Sequence, residues 1–145
     1  MARCSESPSR VRQTNEPDNC APQIASEVLG GGKVDIHERT FAFAVRVLKL
    51  AQVLPTDTVG RTVARQIARS GTSVGANVEE AQGSHSKAEF ARRMGIARSE
   101  ARETLYWLRL IPAVGMIPAK RIEDLSDEAE QIAKILTSIV KKTRQ

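Results

Sequence analysis

Aromatic residues are scarce in this chain: three Phe, one Trp and one Tyr make up only 3% of its 145 residues. Hydrophobic residues nevertheless reach 41%, so a core has to be built from Leu, Ile, Val and Ala. Because β-strands prefer β-branched and aromatic residues, this composition favours helices. The length corresponds to one ordinary domain.

Cysteine and histidine are equally scarce, and this argues against metal binding and catalysis. The two cysteines are Cys4 and Cys20, and the two histidines are His37 and His85. These residues lack the spacing of metal ligands, and no nucleophile stands beside either histidine. We expect a protein that binds rather than catalyses, with no metal and no cofactor.

Long apolar runs are also missing. No run approaches the roughly 18 residues that a membrane span requires, and the first residues lack an apolar stretch of the signal-peptide type. The default expectation is a cytoplasmic protein with reduced thiols and no membrane partner.

The first 34 residues differ from the rest in composition. They are rich in Ser, Pro, Asn and Gln and end close after three consecutive glycines, residues 30–32. Such a segment buries too little apolar surface to offset its ordering entropy. We predict a disordered tail over residues 1–34 and one folded domain over residues 35–145, although an over-long start assignment would give the same picture.

The net charge of +5 lies on the folded part, because the acidic and basic residues of the tail cancel. A basic folded surface attracts polyanions such as nucleic acid. The alternative is that a modest positive charge only keeps the protein in solution.

Apolar residues in steps of three and four predict four helical segments. The segments cover about residues 35–54 and 57–82, then begin near a capping-box pattern at Ser86–Glu89 and at Pro118. Short connections imply an all-α, antiparallel up-down-up-down four-helix bundle. The predicted inner lines of the last three helices are Val63, Ile67, Val74, Val78 and Ala81; Phe90, Met94, Ala97, Ala101, Leu105 and Leu108; and Ile122, Leu125, Ala129, Ile132, Leu136 and Ile139.

The first segment is apolar over an arc of roughly 220°, wider than one bundle contact needs. One face holds Phe41, Ala44, Val45 and Leu48, and another holds Ile36, Phe43, Val47, Leu50 and Leu54. The surplus predicts burial of Phe43, Val47 and Leu50 between copies of the chain. The alternative is a helix buried centrally in its own bundle.

The middle of the second segment is unusually small in side-chain volume. Gly71 and Gly75 each cost about 1 kcal/mol of helix propensity relative to Ala. Either a close approach of another helix or a local kink has to explain them.

Two arginine stripes are candidate nucleic-acid contacts. Guanidinium groups match phosphate geometry, and a tyrosine ring can stack on an unpaired base. The alternative is a solvated face in which Glu100 and Glu103 pair with arginines. The stripes are Arg61, Arg65 and Arg69 on the second helix, and Arg98, Arg102 and Arg109 with Tyr106 on the third.

A polar line on the second helix, formed by Ser73, Asn77 and Glu80, allows two interpretations. The three side chains could form a buried hydrogen-bond network that fixes helix register. They could instead contribute to a ligand site, although such a site needs groups from several elements.

Residues 66–81 resemble the second-helix signature of the four-helix bundle proteins encoded in 23S ribosomal RNA intervening sequences. Arg69, Ser73, Asn77 and Glu80 fall on the polar positions of that signature. Residues 35–36 with 38–41 resemble the first-helix opening of the family, and residues 99–104 with 107–108 resemble its third-helix core. The resemblance covers about residues 35–142.

The resemblance implies a homopentameric barrel of antiparallel four-helix bundles. The family is similar to the accessory variability determinant proteins of diversity-generating retroelements, which bind nucleic acid and a reverse transcriptase. Two functional hypotheses follow: an oligomer that binds RNA or DNA through its arginine stripes, or a protein-interaction scaffold whose charge serves solubility.

Overall fold

The computed structural model describes residues 35–145, and four α-helices account for most of them. They are α1 (Ile36–Val53), α2 (Thr58–Gln82), α3 (Lys87–Ala113) and α4 (Ala119–Arg144). Residues 35–145 contain no strand. The predicted disordered tail, residues 1–34, lies outside the described residues, as do Cys4 and Cys20.

Side-chain caps start the first three helices where polar residues precede apolar runs. Asp35 accepts a hydrogen bond from the His37 amide (3.0 Å) and Asp57 accepts one from the Gly60 amide (2.7 Å). Ser86 Oγ accepts from the Glu89 amide (3.1 Å). The Glu89 carboxylate in turn accepts a hydrogen bond from the His85 amide (3.1 Å). In a standard capping box the donor would be the amide of the N-cap residue, Ser86.

The turn between α3 and α4 is set by one glycine. Gly115 has φ +77°, a conformation that few other residues adopt readily. Its amide donates to the Pro112 carbonyl (3.0 Å) and the Met116 amide donates to the Ile111 carbonyl (3.1 Å), which is a Schellman motif. Pro118 is the N-cap of α4 rather than its first helical residue.

Each helix packs chiefly on its neighbours in the chain, and α1 also meets α4 along a smaller contact. The diagonal pairs α1–α3 and α2–α4 make no comparable contact. This is the predicted all-α, antiparallel four-helix bundle. None of the four helices is long and apolar enough to cross a membrane.

The predicted inner lines of α2, α3 and α4 are confirmed almost completely. Every residue of these lines is buried except Leu105, which is partly buried against the core. One polar pair crosses this core: the Thr104 hydroxyl donates to Ser70 Oγ at 2.9 Å, and both residues are fully buried.

The predicted role of Phe43, Val47 and Leu50 as an oligomer interface is wrong. Their exposed fractions are only 1%, 0% and 8%, because they form the contact of α1 with its own bundle. The exposed apolar face of α1 is the other one, where Phe41 is 71% and Leu48 43% exposed. Both faces of α1 are apolar, so periodicity alone gave no reason to prefer one as the internal face.

The two small residues in the middle of α2 allow α1 to approach closely. A Cβ on Gly71 would lie 2.6 Å from Val47 Cγ1, and one on Gly75 would lie 3.4 Å from the Thr40 carbonyl oxygen. The helix runs unbroken through both positions. Close packing of α1, and not a break in α2, therefore explains these glycines.

Candidate nucleic-acid interface

The basic stripe predicted on α2 divides into two parts. Arg61 and Arg65 are exposed, and neither forms an ion pair with another described residue. Both lie in the first half of α2 and remain available to an anionic partner.

Arg69 is instead tied to α3. Its guanidinium donates to Glu103 in a short hydrogen bond and lies 3.4 Å from Glu100 Oε2. The hydrogen bond from Arg69 lowers the pKa of Glu103, against the opposing effect of burial, and Trp107 Nε1 donates to the same carboxylate (3.3 Å). Two carboxylates thus neutralise Arg69, which links α2 to α3.

The stripe on α3 faces the opposite way, toward α4. Arg98 lines a cavity together with Arg144 of α4, and Arg109 lines a second cavity with Lys120 of α4. Arg102 is exposed between them in sequence. None of the three α3 arginines pairs with a described carboxylate. Glu100 and Glu103 of α3 pair with Arg69 on the α2 side, so they do not neutralise the arginines on the side of α3 that faces α4.

Tyr106 lies on the outer surface of α3, where it is 55% exposed. Its ring meets the Trp107 ring edge-on, with centroids 5.2 Å apart and an interplanar angle of 73°. This contact orients the tyrosine ring and leaves more than half of its surface open to a stacking base.

Sequence reasoning missed two arginines, Arg92 and Arg144. They line the same cavity as Arg98, at the end of the bundle where α3 begins and α4 finishes. Lys141 and Lys142 lie in the same last turn of α4. The antiparallel topology could have indicated this cluster, because it brings the start of α3 beside the basic end of α4.

The two ends of the α3–α4 edge differ in charge. The cavity of Arg98 has a volume of about 520 Å³ and no carboxylate among its lining residues. The cavity of Arg109, about 590 Å³, includes Glu123 as well as Lys120. The positive potential is therefore concentrated at the end that holds Arg92, Arg98 and Arg144.

The polar line Ser73, Asn77 and Glu80 does not form the predicted buried network. Asn77 donates to the Ser73 carbonyl of its own helix (2.8 Å), and exposed Glu80 lies 3.5 Å from Arg93 of α3. No hydrogen bond joins the three side chains to one another. A buried polar link between α2 and α3 is formed instead by the hydroxyl pair of Ser70 and Thr104.

His37 lies between two side chains of α2 rather than beside a nucleophile. Its Nδ1 is 3.2 Å from Glu79 Oε2, and its Nε2 makes a short contact with Gln82. No group of three or more His, Cys, Asp or Glu residues within residues 35–145 is arranged to hold a metal ion.

These features define a small antiparallel four-helix bundle with an arginine-lined edge. Residues 32–138 match the family model described as 23S rRNA-intervening sequence protein, and the chain belongs to that family.

A solved structure has the same fold at moderate sequence identity. It is a protein with unknown function from the S23 ribosomal protein family of Bacteroides thetaiotaomicron VPI-5482, 37% identical to this chain with a TM-score of 0.69. The match covers 73% of this chain and 98% of that one. No functionally curated protein matches the chain.

Proposed function

We propose that this protein is a non-enzymatic homo-oligomer that binds nucleic acid along the α3–α4 edge of each bundle. The observation that supports the proposal best is that Arg98, Arg102 and Arg109 have no carboxylate partner within residues 35–145, whereas Arg69 has two. Unneutralised guanidinium groups along a helix suit a phosphate backbone.

Tyr106 adds a possible base contact to the proposed phosphate contacts, and this distinguishes single strands from duplexes. Stacking on an aromatic ring contributes about 1–3 kcal/mol per base and is available only to unpaired bases. An exposed tyrosine beside the arginine stripe therefore favours single-stranded RNA or DNA over a duplex.

Oligomerisation would multiply one modest contact surface. The exposed apolar face of α1, formed by Phe41, Val45 and Leu48, offers a surface for another copy of the chain. A homopentamer is the assembly implied by the family resemblance. Several linked edges would bind one strand with avidity.

The test is a fluorescence anisotropy titration against single-stranded RNA, single-stranded DNA and duplex DNA at several salt concentrations. Replacing Arg98, Arg102 and Arg109 by Gln should weaken binding about equally across sequences. Each lost phosphate contact should reduce the salt slope by about 0.7 for single strands, so the triple variant should lose roughly two units.

The matched control replaces Arg46, Lys49 and Arg121 by Gln, which removes the same charge from exposed positions outside both arginine stripes. It should retain most of the binding and the slope. Equal losses in the two variants would mean that binding follows net charge alone, and no binding by the wild type at low salt would remove the proposal.

A second candidate function is a protein-interaction scaffold, which the exposed apolar face of α1 favours. In this proposal the partner is a reverse transcriptase, which is what the sequence resemblance to retroelement accessory proteins implies. In that case the arginine variants would leave partner binding intact, and replacing Phe41 by Asp would abolish it.

A further inference from the structure

The cavity where α3 begins and α4 ends is lined by side chains that suit an oxyanion. Arg92 and Arg98 of α3 and Arg144 of α4 line it, together with the Ser99 hydroxyl. None of the three arginines forms an ion pair with a described residue, and no carboxylate lines the cavity. Three like charges facing one space repel one another unless an anion lies between them.

Arg98 carries an unsatisfied donor at this cavity. Its Nε is shielded from solvent and has no hydrogen-bond partner in the described part of the chain. Buried polar atoms are almost always paired in folded proteins. Among the side chains of the described residues Arg98 Nε and Ser84 Oγ are the two exceptions, and of these only Arg98 lines this cavity. An oxygen atom of a bound anion would provide an acceptor for Arg98 Nε if the guanidinium turned toward the cavity, because Nε is shielded in the present rotamer.

Gly95 adds a third, independent observation. It lies in the middle of α3, where glycine weakens a helix. Unlike Gly71, it has no packing reason, since a Cβ there would meet nothing within 4 Å. Gly95 lines the same cavity, and the missing side chain keeps the floor of the cavity open to a ligand.

We infer that this cavity, the arginine pocket of Arg92, Arg98 and Arg144, is a discrete binding site for a phosphomonoester group. A phosphomonoester has nearly two negative charges at neutral pH and three strong acceptor oxygens. It therefore matches three guanidinium groups better than a carboxylate, which has one charge and two oxygens. The site shares Arg98 with the proposed nucleic-acid edge but does not depend on it.

The direct test is a phosphate titration of the full chain followed by ¹H–¹⁵N NMR of the arginine Nε–H groups. The Nε–H signals of Arg92, Arg98 and Arg144, assigned from single Gln variants, should shift saturably with inorganic phosphate. Chloride at the same ionic strength should not reproduce the shift. Binding should be tighter at pH 8 than at pH 5.5, because inorganic phosphate loses its second proton between these two pH values while the arginines stay charged throughout.

Matched variants locate the site. Arg98→Gln should weaken phosphate binding roughly tenfold or more, while Arg121→Gln, which removes the same charge elsewhere on α4, should leave it unchanged. Gly95→Glu should place a carboxylate at the pocket and abolish binding, whereas the isosteric Gly95→Gln should weaken it much less. An absent or non-saturable shift, or equal effects of Arg98→Gln and Arg121→Gln, would overturn the inference.

The source of the phosphate is distinguished by further arms of the same titration. A nucleoside monophosphate, a 5′-phosphorylated oligonucleotide and its 5′-hydroxyl counterpart are compared at equal concentration. A strand-end site predicts a clear preference for the phosphorylated oligonucleotide, and a small-molecule site predicts that the nucleoside monophosphate binds as well. Oligonucleotide binding without any phosphate binding would contradict this inference and leave the proposed function standing. Phosphate binding without oligonucleotide binding would support this inference and contradict the proposed function.

Discussion

Gly71 and Gly95 are both glycines in the interior of a helix, but their surroundings in the bundle are opposite. The space that a side chain would occupy is filled by Val47 at Gly71 and is empty at Gly95. Intrinsic propensity makes the same prediction for both positions, a gain of about 1 kcal/mol for Ala. Only the packing separates them.

We expect Gly71→Ala to destabilise the protein and Gly95→Ala to stabilise it. At Gly71 the new Cβ would lie 2.6 Å from Val47 Cγ1, and Val47 is fully buried and β-branched. Overpacking of this kind costs about 1–3 kcal/mol, more than the propensity gain. At Gly95 only the gain remains, about 1 kcal/mol.

Thermal unfolding at one fixed protein concentration measures both changes. The melting temperature should fall for Gly71→Ala and rise by several degrees for Gly95→Ala. If both variants are stabilised equally, Val47 can move aside to accept the new methyl group, and the packing of α1 against α2 is less tight than the structure indicates. A loss of stability at Gly95 would mean that its space is filled in the assembled protein.

At the scale of the helices, α1 is held from two sides by different chemistry. Small residues of α2 let it pack closely, whereas α4 holds it by an ion pair: Arg39 donates to Glu128 with Nε (2.6 Å) and Nη2 (2.9 Å). Arg39 also donates to Gln131 Oε1 at 2.6 Å. This bidentate contact joins α1 to α4, the pair of neighbouring helices with the smallest contact.

We expect the Arg39–Glu128 pair to make stability depend on acidic pH. The hydrogen bond from Arg39 lowers the pKa of Glu128, against the opposing effect of partial burial. A lowered pKa in the folded state means that the contribution is complete above the ordinary glutamate value, about 4.3. It is lost as the pH falls from there through the lower folded pKa.

Melting temperatures of wild type and Glu128→Gln between pH 7 and pH 3 test this dependence. The variant should be less stable at pH 7 by about 1–2 kcal/mol, and the difference should shrink toward pH 3. Some acid sensitivity should remain, because Arg69 also lowers the pKa of Glu103. A difference that stays constant over the range would show that the ion pair does not contribute.

The helices themselves were predictable because each inner line is apolar and each outer face is polar. This contrast fixed α2, α3 and α4 and their core residues. It failed for α1, where Phe41 and Phe43 lie on two faces of equal apolarity. The sequence allows a solvated face in which Glu100 and Glu103 pair with arginines, but identifying Arg69 as their partner requires knowing which edges of α2 and α3 face each other.

At the scale of the whole molecule, the arginine edge and the exposed apolar face of α1 lie on different helices. The arginine pocket and stripe follow the α3–α4 edge, and the exposed apolar residues Phe41, Val45 and Leu48 lie on α1. Arg144 joins the pocket only because antiparallel packing returns the end of α4 to the start of α3, a juxtaposition of residues 46 or more positions apart that no local pattern contains. The separation allows one surface to assemble copies while the other meets a ligand.

The last prediction follows from that separation: the chain self-associates through Phe41, Val45 and Leu48, and not through the core residues Phe43, Val47 and Leu50. Replacing Phe41 and Leu48 by Asp should convert the oligomer to a folded monomer, because both side chains are exposed within one bundle. Phe43→Asp should instead unfold the protein, since it would bury an unpaired charge in the core.

Size-exclusion chromatography with light scattering gives the mass, and far-UV circular dichroism gives the helical content of each variant. Val53→Asp is the matched control, because Val53 is 63% exposed but lies roughly 120° around α1 from Phe41. It should leave the mass unchanged. A wild-type protein that is monomeric at micromolar concentration would contradict self-association, and dissociation by Val53→Asp as readily as by the double variant would place the interface elsewhere on α1. If the wild-type protein is a monomer, each arginine edge binds nucleic acid on its own, and the affinity should show no avidity as the strand is lengthened.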